Sequence, residues 1–197
     1  MKRIKICLLA GHSGKDGGAV TTPGGVSEHA LALRVIPGVM AELDEMGFDV
    51  AVTERERAGG TTPLYSAKAA NATGADVAVE LHFNSADSAS AQGAEWLYYG
   101  PSVKSADLAA AMLSEWCKLT GYKSRGVLPV YGSSNGRSGR FTTRGWNAFL
   151  KSRMPFFMAE PFFGSNAWEA ARALTMVNTG AYARAMALAI AAGIRRI

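Results

Sequence analysis

Little in this 197-residue chain points to a disulfide scaffold, a membrane protein or a disordered segment. Its two cysteines, Cys7 and Cys117, form no Cys-x-x-Cys pair, and we expect both to be small buried apolar residues. No apolar run reaches the roughly 20 residues of a membrane-spanning helix, so we expect no integral membrane association. Charged residues make up 19% of the chain, and we find no repeat or low-complexity segment. This composition is typical of a soluble globular protein.

The length favours one domain that spans residues 1–197. Positive charges at the start precede a short apolar run, residues 6–10, which resembles the beginning of a signal peptide. That run is too short for the hydrophobic region of a signal peptide, and it leads directly into a histidine motif. We therefore expect no signal peptide and synthesis in the cytoplasm.

The net charge is +5 and the pI is about 9.4. Such a surface favours anionic partners, for example nucleic acid, acidic lipids or anionic polymers of the cell envelope. The basic residues are dispersed along the chain, however, so we interpret them as a solvated face. We expect no nucleic-acid partner and a monomeric protein.

Apolar runs of strand length alternate with helical patterns along the chain. The predicted strands are residues 4–10, 48–53, 75–83, 93–99, 127–131 and 155–160, with a further short candidate around Trp146. The predicted helices are residues 28–46, 63–72, 103–120 and 167–197, the last broken near residues 178–180. Ser27 is expected to cap the first helix. This alternation predicts a three-layer α/β fold, with a central, mainly parallel but mixed sheet of about six strands and helices on both faces.

Four chemically versatile residues are predicted to meet at one edge of this sheet. His12 follows the first strand in a glycine-rich loop, His82 ends the third strand, and Glu160 ends the last. Glu28 begins the helix after the first strand, at the same edge. Sheets of this kind place their sites beyond the carboxyl ends of the strands, so the four side chains should lie close together.

Two imidazoles and one carboxylate match a catalytic zinc centre that leaves one position open for water. Glu160 is placed where an acid–base group would be useful. His29 competes with Glu28 for the third ligand position, because sites with three histidines also occur. Consecutive helical residues point about 100° apart, so only one of the two can face the metal. The residues alone leave this choice open.

Five motifs occur in order along nearly the whole chain. They are Gly-His-Ser-Gly-Lys-Asp-Gly-Gly-Ala at 11–19, Glu-x-x-x-x-Leu at 28–33, Glu-Leu-His-Phe-Asn at 80–84, Arg-Gly-Val at 125–127, and Pro-x-x-x-x-Glu-Pro-Phe-Phe-Gly-Ser-Asn at 155–166. Their order and spacing resemble those of the zinc-dependent N-acetylmuramoyl-L-alanine amidases of the type 3 family, which cut peptidoglycan. In that family the first motif reads Gly-His-Gly-Gly-x-Asp-x-Gly-Ala and the third reads Ser-x-His-x-Asn.

The resemblance implies that His12, Glu28 and His82 bind one zinc ion and that Glu160 is the catalytic carboxylate. It thereby favours Glu28 over His29. It also places Asn84 in the substrate cleft, and we include Arg125 as a second candidate for substrate binding. The implied partner is peptidoglycan. A bare catalytic domain of this kind is typical of a phage endolysin, which acts on the wall of its host; a mature or truncated bacterial autolysin is the alternative.

One departure from the family pattern concerns Glu80, which stands where the family usually has a serine. Glu80 lies two residues before His82 and therefore on the same face of the strand. It is a candidate for orienting His82 by contacting this metal ligand without binding the metal itself. Pairing with a nearby arginine is the alternative, and the sequence does not separate the two.

A glycine-, serine- and arginine-rich loop, residues 131–147, is expected to line the groove, where its arginines would meet carboxylates of the stem peptide. Two rival functions stay open. One is a zinc carboxypeptidase or endopeptidase acting on stem peptides, although such enzymes usually draw a histidine and the glutamate from one short motif, which is absent here. The other is a wall-binding module that lacks catalysis. Manganese or iron is the alternative to zinc.

Overall fold

A computed structural model describes residues 3–196 of the chain. Its strands are β1 (Lys5–Ala10), β2 (Asp49–Glu54), β3 (Val77–Leu81), β4 (Ala94–Tyr99), β5 (Ser124–Val130) and β6 (Phe156–Glu160). Its helices are α1 (Glu28–Glu45), α2 (Pro63–Thr73), α3 (Val103–Thr120), α4 (Trp146–Lys151), α5 (Ala167–Asn178) and α6 (Ala181–Ile194). A short 3₁₀ turn, Arg55–Ala58, follows β2.

The six strands form one mixed sheet in the order β2-β1-β3-β6-β4-β5. Strands β2, β1, β3 and β6 run parallel to one another, whereas β4 runs antiparallel to β6 and parallel to β5. The predicted α/β class and the mainly parallel, mixed sheet are therefore confirmed. Strands β3 and β6 are buried along their whole length, which explains why all their residues except Glu80 and Glu160 are apolar.

Helices cover both faces of the sheet, and successive residues of β1 enter two different cores. Ile6 and Leu8 belong to the core formed with α1, α3 and α6. Cys7 and Leu9 belong to the smaller core formed with α2 and α4. This alternation follows from the two-residue period of a strand. It also accounts for Cys7, which is a free, buried thiol, as expected, while Cys117 is free and half-buried.

Two local predictions hold and one is wrong. Ser27 caps α1 by accepting a hydrogen bond from the Ala30 amide at 3.2 Å, and the long C-terminal helix is broken between Asn178 and Ala181. The strand candidate around Trp146 is a helix instead, because Gly145 turns the chain with a left-handed φ of +68° and α4 begins directly after it. Within residues 3–196, no helix combines the length and apolarity needed to cross a membrane.

Candidate active site

The carboxyl ends of three neighbouring strands bring the predicted site residues together. Strands β1, β3 and β6 are adjacent in the sheet and end at Ala10, Leu81 and Glu160. The side chains that follow or close these strands therefore share one edge, where α1 also begins. A cavity of about 380 Å³ opens at this edge, and four of its lining residues are the ones predicted from sequence: His12, Glu28, His82 and Glu160.

Three of these side chains form a compact cluster around the Glu28 carboxylate. His12 Nε2 lies 3.3 Å from Glu28 Oε1, and His82 Nδ1 lies 2.9 Å from Glu28 Oε2. One ligand atom from each residue falls within 4.8 Å of the others. Two imidazole nitrogens and a carboxylate oxygen at this spacing could hold a single metal ion.

Backbone groups fix the orientation of Glu28. The Ala19 amide donates to Oε1 at 2.9 Å, and the Phe83 amide donates to Oε2 at 3.2 Å. Burial alone would raise the pKa of Glu28, but the contacts with His12 and His82 outweigh it and hold the pKa well below its usual range. The carboxylate is therefore ionised and available to a cation at neutral pH.

Two glycines make room for the imidazoles. A Cβ atom on Gly11 would come within 2.5 Å of the His82 ring, and a Cβ atom on Gly18 would come within 2.6 Å of the His12 ring. Gly18 also has a φ of +77°, which a side chain would strain. The glycine-rich loop is thus shaped around the two histidines.

Each histidine turns its second nitrogen toward a carboxylate. His12 Nδ1 lies 3.2 Å from Asp16 Oδ2, and His82 Nε2 lies 3.4 Å from Glu80 Oε2. The last two atoms are buried and have no hydrogen bond of normal geometry among the described residues. Ligand histidines in metalloproteins commonly have such a carboxylate on their outer nitrogen. The role of Asp16 was not predicted, although its position four residues after His12 in the loop was the available signal.

Glu80 makes both of the contacts that the sequence left as alternatives. Besides facing His82, it accepts from Arg55 Nε at 3.0 Å and from Ser66 Oγ at 2.7 Å. Burial would raise the pKa of Glu80, but His82 and Arg55 outweigh it and lower the pKa to about 2. For His82 the balance is reversed, since burial would lower its pKa while Glu28 and Glu80 raise it to about 10.

Glu160 lies on the same cavity but outside the cluster. Its side chain is buried, and its Oε2 has no hydrogen-bond partner among the described residues. Burial, with a smaller contribution from Glu28, raises its pKa to about 7, although His82 and Arg144 oppose the rise. A carboxyl group with this pKa can accept or donate a proton near neutral pH.

The remaining predicted residues meet at a second buried carboxylate, Glu95. Asn84 lines the cavity and donates from Nδ2 to Glu95 Oε1 at 2.7 Å. Arg125 pairs with Glu95 Oε2 at 3.2 Å and is not among the residues that line the cavity. Arg140 also binds Glu95, and Arg144 reaches it at 3.4 Å while lining the cavity. The sequence did not predict the role of Glu95, because its arginine partners come from distant segments of the chain.

His29 does not join the cluster around Glu28. Its ring is buried beneath the loop, and its Nδ1 lies 2.9 Å from the carbonyl oxygen of Gly11. The structure therefore brings Glu28, and not His29, to the two other histidines.

The family model for N-acetylmuramoyl-L-alanine amidases of type 3 matches residues 6–196. The chain belongs to this amidase family. It is accordingly an enzyme, a peptidoglycan amidase, and the resemblance seen in its motifs is confirmed. No curated protein sequence matched the chain.

Solved structures similar to this amidase include an N-acetylmuramoyl-L-alanine amidase from Clostridium difficile 630, with a TM-score of 0.75 and 21% identity over 98% of this chain and 96% of the other. A putative N-acetylmuramoyl-L-alanine amidase from Neisseria meningitidis has a TM-score of 0.68 and 29% identity over 98% and 96% of the two chains. The catalytic domain of the endolysin CD27L, described as targeting Clostridia difficile, has a TM-score of 0.72 and 22% identity over 98% of each chain. The whole described sheet and its helices thus have counterparts in these enzymes.

Proposed function

We propose that this amidase hydrolyses the bond between N-acetylmuramic acid and L-alanine in peptidoglycan with one zinc ion bound by His12, Glu28 and His82. The observation that carries the proposal is the convergence of these three side chains on one point of the cavity, beside Glu160. Family membership supports the substrate, and the cluster supports the metal.

The residues present fit a zinc ion. Neighbouring ligand atoms are 2.9 and 3.3 Å apart, close to the separation found around a four-coordinate metal. Zinc binding would displace a proton from each histidine that is protonated in the metal-free site. The outer nitrogens of both histidines face carboxylates, which then favours the tautomers that direct His12 Nε2 and His82 Nδ1 toward the metal. Mixed imidazole and carboxylate ligands with an open position favour zinc, with manganese or iron as the alternatives.

When bound, zinc supplies a Lewis acid that polarises the substrate carbonyl and lowers the pKa of water to about 7. Glu160 accepts a proton from the attacking water as its oxygen bonds to the carbonyl carbon of the lactyl group. Glu160 then returns that proton to the nitrogen of L-alanine as the carbon–nitrogen bond breaks. The products are a glycan strand with a free lactyl carboxylate and a stem peptide with a free amine.

The surroundings of Glu160 suit this double role. A pKa near 7 allows the same carboxyl group to take up a proton in one step and release it in the next. The residue lines the cavity, and its buried Oε2 has no hydrogen-bond partner among the described residues.

For substrate binding we assign the cavity wall formed by Asn84 and Arg144. Asn84 is held by Glu95, and the half-exposed Arg144 offers a guanidinium to a carboxylate of the stem peptide. Arg125 acts more remotely, because its contacts are Glu95, the Gln92 carbonyl and the Phe163 ring. We therefore propose that Arg125 holds Glu95 in place and does not contact the substrate directly.

We further propose that the enzyme acts on the cell wall of a bacterium in the manner of an endolysin. The endolysin domain that shares its fold supports this reading, as does the basic surface, which suits an anionic envelope.

The test is digestion of purified peptidoglycan, followed by identification of the groups released. We expect new L-alanine amines, loss of their release after chelation and recovery on adding zinc. Free amines of other residues would indicate cleavage within the stem peptide, and binding without release would indicate a wall-binding module. Either result would contradict the proposal.

A further inference from the structure

His29 shows a feature that the amidase reaction does not use. The side chain is 7% exposed, and its Nδ1 lies 2.9 Å from the Gly11 carbonyl oxygen. A carbonyl can only accept, so Nδ1 is the donor in this contact, and in the neutral imidazole Nε2 carries the lone pair. That Nε2 has no hydrogen bond among the described residues. Histidines that bind metals commonly donate their other ring N–H to a backbone carbonyl in this way.

Two carboxylates lie close to this imidazole. Glu54 ends β2, and its Oε2 lies 4.0 Å from His29 Nε2. Glu56 follows in the 3₁₀ turn, and one ligand atom from each of the three residues lies within 4.8 Å of the others. The cluster therefore combines a buried nitrogen donor with the carboxylates of a half-buried Glu54 and an exposed Glu56.

The surroundings orient both carboxylates. The Gly14 amide donates to Glu56 Oε2 at 3.3 Å. Arg57 Nε lies 3.7 Å from Glu54 Oε1, but the Arg57 side chain is 72% exposed, so this ion pair is weak. The other oxygen of Glu54, Oε2, faces His29. Arg55 does not compete, because it is turned inward onto Glu80.

We propose that His29, Glu54 and Glu56 form a second divalent-cation site, suited to zinc or manganese. One imidazole and two carboxylates match the ligand preferences of these ions and leave positions open for water. The site shares no residue with the cluster around Glu28. It does contact the same loop, through the Gly11 carbonyl and the Gly14 amide. A bound cation would therefore tie α1 and the turn after β2 to the loop that carries His12.

The experiment is a calorimetric zinc titration of the metal-free 197-residue chain. The wild type should bind two ions. In the variant Glu54→Gln/Glu56→Gln the affinity of the weaker site should fall by about tenfold or more, because loss of an outer-shell partner alone commonly costs that much. The affinity of the tighter site should not change. Glu54 is half-buried and Glu56 is exposed, so the fold should persist. The matched control is Glu42→Gln/Glu45→Gln on α1, which removes the same charge and should still bind two ions.

A titration that is the same in the wild type and in Glu54→Gln/Glu56→Gln, whether one ion or two are bound, would overturn the proposal, as would an equal loss of affinity in the control. The variant His12→Ala separates this outcome from the fate of the zinc centre around Glu28. It should lose the tighter ion and keep the weaker one, whereas an unchanged titration would count against the centre around Glu28 alone.

Discussion

Replacing Glu80 with methionine tests the buried network behind the proposed zinc centre. Glu80 is fully buried and Arg55 is 4% exposed. The guanidinium contacts Glu80 Oε1 from Nε and from Nη2, each at 3.0 Å, and Ser66 Oγ donates to the same oxygen. Glu80→Met leaves the arginine buried without its counter-charge. We expect the free energy of unfolding to fall by about 3–5 kcal/mol.

The double variant Arg55→Met/Glu80→Met should recover most of that loss, because two apolar side chains replace the ion pair. Glu42→Gln is the control. It breaks an exposed pair with Arg184 at 3.3 Å and should cost about 0.2–1 kcal/mol. Urea unfolding of the metal-free proteins measures all three values. A loss within about 1 kcal/mol of the control for Glu80→Met would refute the argument from burial.

The same two variants test whether Glu80 orients His82. Both lack the carboxylate 3.4 Å from His82 Nε2, so both should bind zinc about 10- to 100-fold more weakly in a chelator competition. The double variant separates this effect from instability. If that variant binds zinc as tightly as the wild type, Glu80 does not orient His82 and its role is limited to pairing with Arg55.

Further predictions concern Glu160 and the loop. Because the pKa of Glu160 is raised to about 7, its carboxylate form grows as the pH rises, so amide hydrolysis should increase by about tenfold per pH unit below 7 and level off above it. A rate profile that is flat or falling through pH 7 would contradict this. Glu160→Gln should keep its zinc, measured by metal analysis, and lose about 10²–10⁴-fold in turnover; near-normal release of L-alanine amines would reject the role. Gly18→Ala should weaken zinc binding, because its Cβ would press on the His12 ring, whereas Gly74→Ala, with a φ of +63° and open space, should lose only about 1 kcal/mol of stability. Equal zinc affinities in these two variants would contradict the claim that a Cβ atom on residue 18 displaces the His12 ring.

The sequence predicted the edge of the sheet where the site lies, because buried parallel strands are continuous apolar runs with sharp ends. His12, His82 and Glu160 each follow or close such a run, and strand adjacency then brings them together. The choice of Glu28 over His29 required the family resemblance. Helical geometry excludes one of two neighbours, but it does not say which one.

Contacts among polar residues from distant segments were beyond sequence reasoning. Glu95 binds arginines from β5 and from the following loop, and nothing in the local pattern pairs them. For this reason Arg125 was expected at the substrate, whereas the structure places it on Glu95. The loop of residues 131–147 was expected to line the groove, and Arg144 and Gly145 do line the cavity.

The segment after Gly145 was predicted incorrectly for a different reason. Trp146 and Phe149 lie three residues apart on one face of α4, and short apolar runs of this kind fit a strand or a helix equally well. Packing decides between them: Trp146 stacks on Tyr99, and Phe149 contacts Phe156 edge to face.

The central claim is a metal ion at the meeting point of two histidines and one glutamate. Anomalous diffraction at the zinc edge, from crystals of the wild-type chain grown with zinc, tests it directly. We expect a strong peak about 2.0–2.2 Å from a nitrogen of His12, a nitrogen of His82 and a carboxylate oxygen of Glu28. The absence of a peak between these three side chains in zinc-saturated crystals would contradict the account.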